Sequence, residues 1–263
     1  MAASHNDNAR ADPMAAARRP TAPPRQKRFY KRARMEPGEG GFALLLDGRR
    51  AMTPGGQRLA VSERRLADAI RAEWEAQADL IDPASMPVTR LANTAIDGVA
   101  ERLAEVRAEV AAYAGSDLLV YRAGEPAGLV EGQRAAWDPI LAWAEQRFGV
   151  RFALAERLVH AAQPEATLAA LGEAVETFDE PFRLAGLHLA TALTGSAVIA
   201  LALAEGEIGT DAAWAAAHVD EDWNILQWGE DAEAVSRRTR RFADFKAAAL
   251  ALGVVPLPLV GRG

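Results

Sequence analysis

Residues 219–231 read VDEDWNILQWGED, three consecutive acids followed by two tryptophans on a stretch of otherwise helical composition. Asp220, Glu221 and Asp222 carry the groups that general acid–base chemistry uses. His218 precedes Glu221 by three residues and Asp222 by four, the spacing of half a metal site. A second half is missing, because His5, His160 and His188 form no HExxH or comparable ligand pair. The glycines at 38–41, 55–56 and 206–209 match neither GxGxxG nor GxxxxGK[ST] and read as turns or helix ends. No GxSxG elbow exists, and Ser196 lies inside an apolar stretch. No catalytic residue, metal or cofactor is therefore assigned; a small-molecule or metal-dependent enzyme with an acidic site near His218 and Glu221 stands as the alternative reading.

An interaction surface is the main one. Advancing 100° per residue gathers Trp214, His218, Glu221, Ile225 and Trp228 on one side of a helix, while Asp220, Trp223, Asn224 and Gln227 gather on the other. The first side is expected to be core. The second carries a large ring flanked by acid and amide groups, for which an ordinary solvated face has no use. Glu221 among aromatic neighbours needs either a partner arginine, for which Arg237, Arg238, Arg240 and Arg241 are available, or a raised pKa, and a structural ion pair and a partner-facing role both stay open for it.

These groups must be held by a chain of 263 residues, half of them hydrophobic, which is enough for one large or two ordinary cores. The absence of cysteine excludes disulfides, thiolate nucleophiles, iron–sulfur clusters and Cys-ligated zinc, and fits a reducing compartment. Residues 1–34 hold nine Lys or Arg against Asp7 and Asp12, a net +7, which leaves −13 on the rest. Such an acidic body is a poor nucleic-acid binder. Residues 1–26 lack apolar periodicity and are expected to form a disordered basic arm; they contain no apolar core of a secretory signal, so a bacterial cytoplasm is expected, with the mitochondrial matrix as the alternative. Positions 184–204 carry no charged side chain, yet only eight are Leu, Ile or Val, so they read as a buried core helix and no stable membrane insertion is expected.

The expected fold class is α+β: a small α/β domain over 27–84 and an all-α domain over 85–252, with a flexible tail at 253–263. Strands are expected at 29–34, 42–46, 49–52 and 58–61, joined by tight turns, and Ser62 is expected to cap a helix bearing Leu66, Ile70 and Trp74 across the sheet. Beyond Pro87, Ile96, Val99, Leu103, Val106, Val110 and Tyr113 form the seam of one long helix. Further helices fit 133–148, 165–178, 182–204, 211–228 and 232–252, with Gly229 in a left-handed C-cap and Asp231 capping the last.

Seven segments, in order from Lys27 to Phe245, carry a resemblance. KRFYK (27–31), LDGRRAMTP (46–54), EWEAQ (73–77), MPVTRLANTAID (86–97), DLLVYR (117–122), QRAAWDPIL (133–141) and the Trp-Gly segment ending at Gly229 are similar to the assembly chaperone of the F-type ATP synthase catalytic head that handles the alpha subunit. The resemblance implies a non-enzymatic protein with a small α/β domain and a helical domain, which holds the free alpha subunit and shields its beta-contacting surface until the ring assembles. It places an important acid of the family on Asp220 or Glu221 and a family tryptophan on Trp74; Asn224 departs from the glutamine expected there. Asp220, Glu221, Trp223, Gln227, Trp228 and Trp74 are thus the candidate partner-binding residues.

Overall fold

The computed structural model describes residues 26–38, 40–156 and 161–254; most of the basic arm, His5, His160 and most of the C-terminal tail lie outside the described residues. The sheet is built on an antiparallel hairpin of β1 (Ala33–Gly38) and β2 (Gly41–Leu46), with Ala33 opposite Leu46 and Gly38 opposite Gly41. A two-residue turn at Asp47 (φ 49°) and Gly48 (φ 83°) leads to β3 (Arg49–Arg50), the left-handed pair that a tight hairpin requires. β4 (Ala60–Val61) pairs with the far end of β2. β1 begins four residues later than the sequence suggests. The backbone before it is already engaged elsewhere: Arg28 N–H donates to the Asp79 carbonyl, and the N–H groups of Lys31 and Arg32 donate to the Asp47 carboxylate, both at 2.9 Å.

Alternation along β2 buries Leu44 and Leu46, which with Ala33 face Leu66, Ala67 and Ile70 of α1 (Arg64–Glu75). Ser62 does not cap this helix. Glu63 holds the N-cap position without a side-chain bond, and Ser62 Oγ instead donates to Glu180 Oε1 at 3.4 Å.

The expected long helix is divided into α2 (Pro87–Thr94), a π-turn at Ala95–Val99 and α3 (Leu103–Ala112), with non-helical backbone at Arg102 (φ −132°, ψ 33°). The π-turn carries Asp97 to the sheet, where its carboxylate accepts from Thr53 Oγ1 (2.5 Å) and Gly55 N (2.8 Å). Next come β5 (Tyr121–Arg122), α4 (Ala127–Phe148) and β6 (Ala155–Glu156), the strands forming a short parallel pair that periodicity did not reveal. Then follow α5 (Glu165–Glu176), α6 (Pro181–Thr194), α7 (Ala197–Ala204), α8 (Thr210–Ala217), α9 (Val219–Trp228) and α10 (Ala232–Ala251). The stretch expected as one helix at 182–204 breaks where Gly195 turns left-handed (φ 69°) and Ser196 caps α7 by accepting from Ile199 N at 2.9 Å. Among the described residues, no helix is long and apolar enough to cross a membrane. His188, expected inside that core, lies at its edge with Nε2 3.2 Å from Glu109 Oε2.

Acids of the quoted motifs close the junctions between elements. Glu73 of α1 accepts from Val88 N, Thr89 N and Thr89 Oγ1 at 2.7–2.8 Å and so caps α2. Gln77 beside it accepts from Asp82 N (2.7 Å) and donates to Ser85 Oγ (3.1 Å). Asp117, fully buried, accepts from Leu119 N and Val198 N at 3.1 Å and from Ser196, so one carboxylate holds the start of the innermost helix. Burial pushes Asp117 up to about 6 against those donors.

Candidate functional site

The predicted helix 211–228 divides at His218, whose φ of −120° separates α8 from α9. The His218 ring lies 3.8 Å from that of Trp214, and its Nδ1 is 2.7 Å from the Trp214 carbonyl. Trp214 in turn packs on Phe242 and Phe245 of α10 at 5.2 and 5.3 Å. Burial holds the His218 pKa below its ordinary value, with Arg238 and Arg241 acting in the same direction. Its neutral form therefore stabilises the fold above pH 6.5, and that contribution is lost as pH falls through the depressed value.

The break changes which face is buried. Trp214 and His218 are core as expected, but Trp228, expected with them, is 87 % exposed. Trp223, expected to be free, lies across the first turn of α4: a Cβ at Gly128 would sit 2.5 Å from its Cη2. Its indole closes one wall of an apolar groove of about 590 Å³ whose opposite wall is Leu129, Gly132, Ala136 and Ile140. Leu226 stands at the mouth of this groove, 79 % exposed. Gln227 and Asn224 are exposed, as the helical wheel predicts. Gly229 has a positive φ (85°) but an extended ψ (178°), so it ends α9 without the expected left-handed cap; Asp231 does cap α10, accepting from Ala234 N at 3.0 Å.

The three acids of the first turn go three ways. Asp220 accepts from Nε2 of Gln133 at 2.7 Å, and Gln133 is itself buried with Oε1 accepting from Ala123 N. Glu221 keeps 41 % of its side chain exposed, with Oε2 3.8 Å from His218 Nε2, so its expected place in the core is corrected. The arginine from the last helix pairs with Asp222 rather than Glu221: Arg238 lies 2.5 Å away. Diverging carboxylates do not share a substrate atom, and no group of three or more His, Asp or Glu among the described residues is placed to hold a metal ion. Trp74, half-buried on α1, packs against Tyr30 at 5.5 Å and accepts the Tyr30 hydroxyl on its carbonyl (2.6 Å); it does not join the α9 surface.

Leu226 and the α4 wall escaped the sequence reading. A signal existed in the small residues Gly128, Gly132 and Ala136, spaced by four so as to line one helix face, although nothing in the sequence paired that face with α9. Trp137, one residue on, anchors the same junction through Nε1 donating to the Ala216 carbonyl at 2.7 Å.

Comparison with known proteins accounts for this combination. The family model described as ATP12 chaperone protein matches residues 27–145. The Atu1473 protein of Agrobacterium tumefaciens is 46 % identical, with 94 % of this chain and 92 % of that one covered and a TM-score of 0.83. Atp12 from Paracoccus denitrificans is 35 % identical, with 87 % of this chain and 97 % of that one covered and a TM-score of 0.78. An aspartate-to-lysine variant of that protein matches equally well, at the same TM-score of 0.78. A sheet capped by one helix, a helical body joined to it by motif acids, and identity of this extent along most of the chain together show that it belongs to the ATP12 chaperone family, the ATP synthase assembly chaperones that its motifs resemble.

Proposed function

We propose that this protein holds the free alpha subunit of the F-type ATP synthase catalytic head through α9 and covers the surface that beta later occupies. The observation that carries the reading is the pair Leu226 and Trp228, 79 % and 87 % exposed at the end of a helix whose first turn is Asp220, Glu221 and Asp222. Exposed apolar anchors beside a polar rim are how a protein competes for a partly apolar subunit interface. Trp223 extends the surface into the α4 groove, Gln227 adds an exposed amide, and Asp220, fixed by Gln133, presents a carboxylate in one orientation. Trp74 supports this surface only indirectly, through the fold of the sheet and α1. The role is one of binding, and the proposed compartment is the bacterial cytoplasm.

Co-expression with the cognate alpha subunit, followed by size-exclusion chromatography with and without beta, tests the proposal. The expected result is a soluble one-to-one complex that dissolves when beta is added. Failure to associate with soluble alpha would overturn it.

A further inference from the structure

The 39 residues from Lys27 to Arg65 carry ten cations against four acids, a net +6, whereas the chain from residue 66 onward is −14. On the sheet this charge is ordered by register. Arg34 of β1 and Arg50 of β3 are the Cα partners of Leu45 in β2, so all three lie on one face, opposite the face that Leu44 and Leu46 present to the core. Two strand spacings, roughly 10 Å, separate the two arginine backbones across the leucine. Arg32, two residues before Arg34, lines the same concavity of about 570 Å³ with Leu45, Met35 and Pro37. Among the described residues Arg34 and Arg50 form no ion pair, while Arg32 lies near Asp47, and Glu36, two residues from Arg34 and on the same face, also lines the concavity. Asp47 is taken up by the backbone N–H groups of Lys31 and Arg32, which also hold its carboxyl below the usual carboxylate range.

We infer that this sheet face is a second protein-docking surface, one that takes a carboxylate-bearing segment with apolar residues between its acids. Spaced guanidinium forks around a leucine match such a segment, since carboxylates accept bidentate bonds and the apolar residue between them covers Leu45. A duplex or an anionic bilayer fits less well. Either would extend past the small sheet and meet the −14 of the remaining chain, and neither makes use of the leucine.

The test uses the full chain, labelled with ¹⁵N, and a synthetic hexapeptide of two leucines flanked on each side by two glutamates. Its glutamine counterpart, phosphatidylglycerol vesicles and a DNA duplex serve as competitors. Shifts confined to Arg32, Arg34, Leu45, Arg50 and their neighbours are expected with the glutamate peptide. Affinity should fall roughly tenfold or more in the Arg34→Glu/Arg50→Glu variant, and more steeply with salt in the native chain than in the variant. Equal affinity of native and variant chains, equal binding of the glutamine peptide, or tighter binding to vesicles or DNA than to the peptide would each overturn the inference. Thermal unfolding of the variant, whose two substitutions lie on an exposed face, should match that of the native chain. None of these readouts involves the alpha subunit, so their failure is separate from failure of the α9 proposal.

Discussion

Trp228 and Glu221 both leave the buried side on which helical periodicity places them. A wheel drawn through 211–228 assumes continuous helix, and His218 breaks that assumption by stacking on Trp214 and leaving the helical region for one residue. The helix after the break starts on a new bearing, so the ring of Trp228 emerges and Glu221 is half-exposed, while Asn224 and Gln227 stay exposed. Trp228→Ala is expected to leave the thermal midpoint within about 1 °C, because an exposed ring buries little area, while abolishing retention of the alpha subunit in a pull-down. Normal retention would remove Trp228 from the binding surface. Glu221→Lys is expected to cost less than about 1 kcal/mol in urea unfolding, as befits a half-exposed side chain with one 3.8 Å neighbour. A loss of several kcal/mol would restore the buried placement. Of the six tryptophans, Trp228 alone is exposed, so its loss should also shift native emission to shorter wavelength.

Whole elements were more legible than their junctions. Apolar spacing identified α1 through Leu66 and Ile70, and turn residues identified the β2–β3 hairpin through Asp47 and Gly48. The breaks at Arg102, Gly195 and His218 were not legible, because the first two are decided by tertiary partners, Asp97 reaching Thr53 and Asp117 holding the start of α7, and the third by a local stacking of His218 on Trp214 that helical periodicity does not signal. Asp117→Ala would leave the Leu119 and Val198 N–H groups buried without an acceptor, and a loss of about 2–4 kcal/mol is expected in chemical denaturation. Because burial raises this group from 3.8 to about 6, the folded chain binds its proton more tightly than the unfolded chain does; its contribution to stability therefore declines as pH rises from about 4 to 6. Asp117→Asn should lack that slope, and an identical slope in both chains would show that the residue does not titrate there. Gly128→Val would drive a side chain into Trp223, and a loss of roughly 1–3 kcal/mol is expected together with weaker holding of alpha. Unchanged stability and binding would mean that Trp223 does not need the groove.

At the scale of the whole molecule, the change to helical periodicity divides the chain near residue 84, and buried contacts cross that boundary. One cluster of buried residues runs from Tyr30 to Leu252, Glu73 and Asp97 bridge the sheet side to the helices, and an Arg90–Asp244 ion pair ties α2 to α10. A single cooperative transition is therefore expected, with far-UV circular dichroism and tryptophan emission coincident in urea; two separated transitions would establish independent domains. The long-range acids that create this unity are ordinary polar residues in the sequence, which is why their segments read as motifs without showing what they touch. The closing element is α10, which lies against α1, α2 and α6 and supplies Phe245 to the Trp214 cluster. On the ribosome this order fixes the timing. The sheet and α1 emerge well before α10, so the chain completes its core, and with it the α8–α9 junction, only once α10 has left the exit tunnel.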